Sequence, residues 1–263
     1  AGKGGMEHPS NLGVQLAREL QKEFGGRIFM VDPPCVDELC DMARMTGIDG
    51  VPRHTNMHAL NLRGVAMHHA KHILGKKYED CCFIVCHIDG GISVSAHRYG
   101  RIIDCNDAAG GDGPYTPTRI GSVSVADILE YVRDKDIDEV KKLCTRTGGF
   151  VSHFGTSSSD AVHKMAEEGN KKAIRVWDGM KYQIVKYIGA MAAVLGGRVD
   201  GILLTGGLLR FEDITQTIRE QCGWIAPVST YPGEVEHEAL AAGEEEPKHY
   251  TGRPVWNGWH DED

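Results

Sequence analysis

Between two β-prone runs, Phe83 to Val85 and Ile92 to Ala96, the chain carries Asp89-Gly90-Gly91, a turn whose glycine amides have no side chain to block close approach. His87 lies two residues upstream, Asp104, Asn106 and Asp107 follow the next apolar run, and a loop rich in glycine, Gly110-Gly111-Asp112-Gly113-Pro114, delivers Arg119. Bare peptide N–H groups and a planar guanidinium fork are what a phosphate binds. A Gly-Gly pair serves any hairpin that needs positive φ equally well, so spacing alone leaves a plain turn and a phosphate cradle both open. Gly206-Gly207 poses the same choice after the apolar run Gly201 to Thr205, because a helix follows and its N-terminus would accept a phosphate or ribose. Asp32 ends the run Ile28 to Val31, before Pro33-Pro34, where it is either a turn cap or a ligand contact at a strand's C-terminal end. Ser157, Ser158 and Ser159 with Asp160 read as a capping loop first and a ligand loop second. His68 and His72, four apart, would suit a metal, but no further ligands follow at a recognisable spacing, so they read as surface histidines.

These groups need elements to hold them. Ile92, Val94 and Ala96 alternate with Ser93, Ser95 and His97, as in a strand buried on one face, and Tyr99-Gly100 turns the chain into Arg101-Ile102-Ile103, so the centre reads as an antiparallel meander. Upstream, the spacing predicts a helix from Asn11 to Phe24, a strand at Ile28 to Val31, and a helix from Ala59 to Leu74 with Leu60, Gly64, Ala66, Met67, Ala70 and Ile73 inward. Downstream it predicts short helices at Ala126 to Val132, Asp136 to Leu143 and Ala161 to Glu168, then a long one from Lys171 to Leu195. A strand at Gly201 to Thr205, a helix at Asp213 to Glu220, a strand at Trp224 to Val228 and a helix at Glu234 to Ala242 complete an α/β pattern.

With 263 residues, 41% hydrophobic, the chain can bury a substantial core in one or two domains. A net charge of −8 argues against duplex nucleic acid or an anionic membrane as a partner. No apolar run reaches the ~18 residues that span a bilayer and the first residues lack a signal-peptide core, which reads as cytoplasmic. The eight cysteines form no CxxC pair and read as reduced thiols.

Gly-Ile-Ser-Val-Ser-Ala-His, Arg-Ile-Ile-Asp-Cys-Asn and Asp-Gly-Pro-Tyr-Thr-Pro-Thr-Arg together resemble the second phosphate motif of the acetokinase family, closest to its butyrate kinases. Other segments are similar to family motifs in the family's order: His8 to Gly13, Val31-Asp32-Pro33, Met57 to Asn61, Phe154 to Ser157, Leu204 to Gly207 and Tyr231 to Ala241. The resemblance implies an α/β, ribonuclease-H-like and actin-like ATPase fold of two domains with the first incomplete. It also implies reversible phosphoryl transfer from ATP to a short-chain carboxylic acid such as butyrate or isobutyrate, with Mg2+. On it, Arg119 stabilises the phosphoryl group in flight, His58 and Asp32 complete the catalytic set, and His8 and Asn11 meet the substrate. His87, Gly90, Gly91, Gly155, Gly206 and Gly207 hold nucleotide or phosphate, and Asp32 and Glu236 hold magnesium. Homodimers or larger assemblies are implied as well.

The expected organisation is a first-domain remnant at 1–76, a ribonuclease-H-like domain at 77–227, a returning helix at 228–243 and an exposed tail at 244–263. The family's opening strand, its Asn-Pro-Gly-Ser-Thr-type loop and the arginine after that loop have no counterpart before His8. Asp89 stands where the family has glycine, and Ile120 where it has serine. A carboxylate ~4 Å from a phosphate charge costs about 4 kcal/mol at an effective dielectric of about 20. Two readings follow: a carboxylate kinase whose N-terminal segment comes from a separate chain or lies outside this sequence, or a non-catalytic subunit of the same fold that binds nucleotide.

Overall fold

The computed structural model describes residues 11–233 and Ala239, in two units, Ala1–Val31 and Asp32–Asp263. In the first unit, α1 (Asn11–Phe24) forms over the expected span and ends at Gly25, whose φ of 71° lets its N–H reach back to the Gln21 carbonyl. Ile28 to Val31 is not a strand. A strand needs a neighbour to take its hydrogen bonds, and these residues join no ladder; Ile28, Phe29 and Met30 stand exposed.

The second unit opens with a turn at Asp32, whose φ of 41° is unusual for a residue with a Cβ. After α2 (Asp41–Arg44) comes α3 (Ala59–His69), which widens into one π turn, Ala70–Leu74, and stops at a left-handed Gly75. The meander follows as β1 (Cys82–Ile88), β2 (Ile92–Arg98) and β3 (Arg101–Cys105). Five helices come next: α4 (Val125–Tyr131), α5 (Ile137–Thr145), α6 (Gly149–Phe154), α7 (Ser159–Glu167) and α8 (Lys171–Val194). Ser124, Asp136, Ser158 and Asn170 cap α4, α5, α7 and α8 by accepting from amides of the first turn, the role their residue types suit. The unit closes with β4 (Gly201–Gly206), α9 (Glu212–Cys222) and β5 (Val228–Pro232).

The sheet runs β3-β2-β1-β4-β5, the first three strands antiparallel and β4 and β5 parallel to β1. This is the α/β, ribonuclease-H-like sheet that the resemblance implied. Alternation along β1 sends Ile84, Cys86 and Ile88 to a core shared with α8 and α9, and Phe83 and Val85 to a second core under α3. His87 falls on the α3 side by the same period of two.

Three further expectations differ from the structure. Ser93, Ser95 and His97 are buried too, because His58 at the start of α3 and Tyr78 lie against the side of β2 that its polar alternation assigned to water. Ser95 donates to the Val85 carbonyl and lies 2.9 Å from His97 Nε2, while Tyr78 lies 2.7 Å from His97 Nδ1, so the buried polar groups are paired. On α3 the inner residues are Leu62, Val65, Ala66 and Ala70, whereas Met67 and Ile73 are exposed. The last strand lies at Val228–Pro232 rather than Trp224 to Val228, because residues 223–227 are used to turn out of α9 before Ile202 can pair with Pro227. The helix expected at Glu234 to Ala242 lies outside the described residues, apart from Ala239.

Candidate active site

The parallel register sets His87 of β1 beside Thr205 of β4, so the turns that follow both strands emerge side by side. Gly206 has φ 104°, and a Cβ there would sit 2.7 Å from the Ile88 carbonyl carbon, so only glycine fits. Asp89 joins the two turns: one carboxylate oxygen accepts from Gly90 N–H at 2.7 Å and the other from Gly207 N–H at 2.9 Å. Two of the amides expected to receive phosphate are therefore engaged by an anion of the chain itself.

The arginine loop is anchored on the same turn. Buried Asn106 accepts from Val94 N–H and donates to the carbonyls of Ile92 and Asp112, which fixes the start of the loop. Arg53, pairing with Asp104 and Asp112 and donating to the Cys105 carbonyl, braces it from outside. Thr116 and Thr118 both donate to the Gly90 carbonyl, at 2.7 and 3.3 Å, and Thr116 Oγ accepts from Arg119 N–H. The loop thus places the Arg119 guanidinium over Gly91. A Cβ on Gly91 would meet Arg119 Cζ at 2.8 Å and His58 Cε1 at 2.9 Å. Arg119 Nη1 donates to the Ala108 carbonyl, and its buried Nε has no hydrogen-bond partner among the described residues. Burial lowers the Arg119 pKa against the pull of Asp107, but a guanidinium stays charged.

His58, at the N-terminal cap of α3, stacks on His87 with ring centroids 3.8 Å apart and planes 13° apart, and its Nδ1 lies 2.8 Å from Ser93 Oγ. His87 is buried, which pushes its pKa down to about 4 although Asp89 pulls the other way. At neutral pH it is an uncharged imidazole. Gly91, Arg119, His58, His87 and Asp89 thus meet at the C-terminal end of β1, with Gly207 beside them.

Gly155 and Asp32 lie elsewhere in the second unit. Gly155 ends α6 with φ 71° and is exposed; its neighbourhood is linked to Gly207 by Arg210, which pairs with Asp160 and donates to the Gly207 carbonyl. Asn11 opens α1 in the other unit. His8 and Glu236 lie outside the described residues. Asp32 is buried at the opposite end of the β1–β2 hairpin: both its oxygens accept from Arg63 Nε, and Arg63 also donates to Glu38 and to the Gly100 carbonyl in the β2–β3 turn. That end is separated from Gly90 by the length of β1, about 20 Å at 3.3 Å per residue. Asp32 as placed does not fit a magnesium ion at the glycine turn, and no three His, Cys, Asp or Glu among the described residues gather to hold a metal. A cavity of about 360 Å3 opens between α4, α5 and α6, lined by Tyr115, Ile128, Leu143 and His153, and includes none of the predicted site residues.

Sequence reasoning quoted Thr116, Thr118, Asn61 and Thr205 only inside family motifs and gave them no role: the first two seat the arginine loop, and Asn61, buried with Thr205, bridges it to His87. An asparagine inside an apolar helical stripe is a usable signal, since a buried amide demands partners; the inner face drawn for α3 left Asn61 out.

Residues 51–232 match the acetokinase family. The chain is 45% identical over 239 residues to a protein of Listeria monocytogenes named probable butyrate kinase, covering 90% of this chain and 67% of that one. A protein of the same name from Coprothermobacter proteolyticus is 40% identical over the same coverage. The fold of this chain is similar to the crystal structure of Porphyromonas gingivalis acetate kinase, with a TM-score of 0.78 at 19% identity over 89% of this chain and 68% of that one. A family match across most of the chain, on a sheet that gathers two glycine turns and an arginine at the C-terminal ends of its central strands, settles its affiliation: the chain belongs to the acetokinase family.

Proposed function

We propose that the chain transfers the γ-phosphoryl group of ATP to a short-chain carboxylate, butyrate or a close relative, giving an acyl phosphate and ADP, and that it runs in both directions. A carboxylate oxygen forms the new bond to phosphorus as the bond to the β–γ bridging oxygen breaks and its electron pair leaves with ADP. The nucleophile is already an anion at neutral pH, so no proton needs to be removed. What the protein contributes is position and charge, because the phosphoryl group in flight spreads its charge over its equatorial oxygens. Arg119 is the cation held for that charge. His58 and His87 supply donor edges beside it, and the amides around Gly90, Gly91 and Gly207 receive the phosphates in place of the Asp89 carboxylate, which engages two of them. Mg2+ would accompany the nucleotide; Glu236, one of the two ligands the resemblance implies for it, lies outside the described residues.

The observation that carries this reading is the packing of the Arg119 guanidinium over Gly91, against His58, in a chain 45% identical to a protein named probable butyrate kinase. A cytoplasmic enzyme assembled as a homodimer or larger homo-oligomer goes with it, supported by the resemblance alone. A second reading is favoured by Asp89, whose carboxylate engages the Gly90 and Gly207 amides: a family member that binds nucleotide without transferring phosphate. An acyl-hydroxamate assay with ATP, Mg2+ and butyrate separates the two. Butyryl hydroxamate is expected. If ADP binds but no product forms, with or without a family N-terminal segment added in trans, the second reading replaces the first.

A further inference from the structure

We infer that Asn61 is a positioning residue that fixes His87 as a neutral imidazole carrying its proton on Nε2, so that the ring beside the glycine turn offers a hydrogen-bond donor without a charge. The argument starts from a carbonyl. Gly233, just beyond β5, can only accept, and Thr205 Oγ lies 2.9 Å away and donates its single proton to it. Thr205 Oγ must then accept from its other neighbour, Asn61 Nδ2, at 3.2 Å. That contact identifies the amide's nitrogen end as the one facing Thr205 and His87, and an amide nitrogen cannot accept. His87 Nδ1, 2.8 Å from the same Nδ2, is therefore the acceptor and carries no proton. Asn61, His87 and Thr205 are all buried, so water does not compete for these bonds.

The chain of bonds runs from the end of β5 through β4 and α3 to β1, and each link leaves its neighbour one orientation. Among the described residues, the charged and titratable groups facing His87 are His58 stacked from α3, Arg119 from the loop, and Asp89 two residues on; Arg119 and burial disfavour a second positive charge, while Asp89 favours it. A neutral donor avoids placing a cation against the Arg119 guanidinium while still binding an anionic oxygen, a division of labour that a neutral histidine suits. The use of this donor on phosphate rests on the carboxylate-kinase reading; the tautomer does not.

The test is long-range 1H–15N NMR of the histidine rings in the full chain, with ADP affinity measured on the same samples. Wild-type His87 is expected as the Nε2–H tautomer at neutral pH. Asn61→Asp places an acceptor against Nδ1, so the proton should move to Nδ1 and ADP affinity should fall by about tenfold, the loss of one hydrogen bond to a charged group. Should that variant fail to fold, Thr205→Val removes the anchor and should mix the two tautomers, while Thr205→Ser restores the wild-type spectrum. A wild-type ring protonated on Nδ1, or variants whose His87 spectra match wild type, would overturn the assignment. A reversed tautomer with unchanged ADP affinity would overturn the positioning role. Failure of the kinase reading shows separately, as absent butyryl hydroxamate with the Nε2–H tautomer intact.

Discussion

Gly91 is the residue on which the arginine and histidine converge, and its hydrogen is what lets them do so. Gly91→Ala would force Arg119 and His58 apart, since both lie within 3 Å of where the methyl must go. A displacement of about 1 Å at a reacting centre costs on the order of a hundredfold, so kcat should fall by about that factor while the melting temperature moves little. Asp89 poses the opposite question. Removing its carboxylate in Asp89→Gly releases the Gly90 and Gly207 amides and a negative charge, and ADP should bind at least about tenfold tighter by calorimetry, about 1.4 kcal/mol. Weaker binding in that variant would instead make Asp89 a brace between the two turns. For His87 the sign is set by burial: its pKa in the fold, about 4, lies below the ordinary value of 6.5. Above pH 6.5 both folded and unfolded chains carry it neutral, so its contribution is complete. As the pH falls from 6.5 towards 4 the unfolded chain takes up the proton and the folded one does not, removing about 3 kcal/mol of stability, with no further loss below. Urea unfolding should therefore show a shallower acid dependence over that window in His87→Gln than in wild type.

Helix α3 does two jobs at its two faces and ends. Its first turns present His58 and Asn61 to the site, and Arg63, two residues later, reaches across to Asp32, Glu38 and the β2–β3 turn. The pair Arg63–Asp32 is buried on both sides, so it locks the 32–38 segment against the hairpin instead of decorating the surface. Replacing the arginine leaves the Asp32 carboxylate in a dry setting without that partner. Arg63→Met should cost about 3 to 5 kcal/mol in urea unfolding, whereas Lys76→Met, which removes an exposed pair with Asp200, should cost less than about 1 kcal/mol. The contrast is the informative measurement, because a buried ion pair and an exposed one look alike in sequence.

Across the second unit, stability should be uneven in a way the packing dictates. β1 and β4 lie at the middle of the sheet, with helices covering both faces and every core residue of β1 buried. The α4–α5 segment shows Val125, Leu129 and Ile137 to solvent and buries only Leu143 among its helical residues. Hydrogen exchange should be slowest in β1, β4 and α8 and at least about a hundredfold faster in α4 and α5, since local opening costs little where little apolar surface is covered. Equal protection in both regions would mean that the α4–α5 segment opens only with the whole unit.

Much of this architecture was readable as a string of letters. The meander, the long α8, the glycine turns and the arginine loop could all be drawn because side-chain alternation, helical spacing and turn chemistry act between near neighbours. The motif order that marks the family is equally a property of the chain before it folds. What could not be drawn depends on groups far apart in sequence coming together. Whether the polar side of β2 meets water was decided by His58 and Tyr78 coming to lie against it, and whether Asp89 faces solvent or a glycine amide was decided by β4 pairing with β1. Asp32 read as either a turn cap or a ligand at a strand end until Arg63 donated to both its oxygens, and Asn61, left off the inner face of α3, gained its role only when Thr205 and His87 arrived at its amide nitrogen. Local preferences set which residues become helix, strand or turn; the partner of each buried polar group is chosen only when long-range packing removes the water that would otherwise have served.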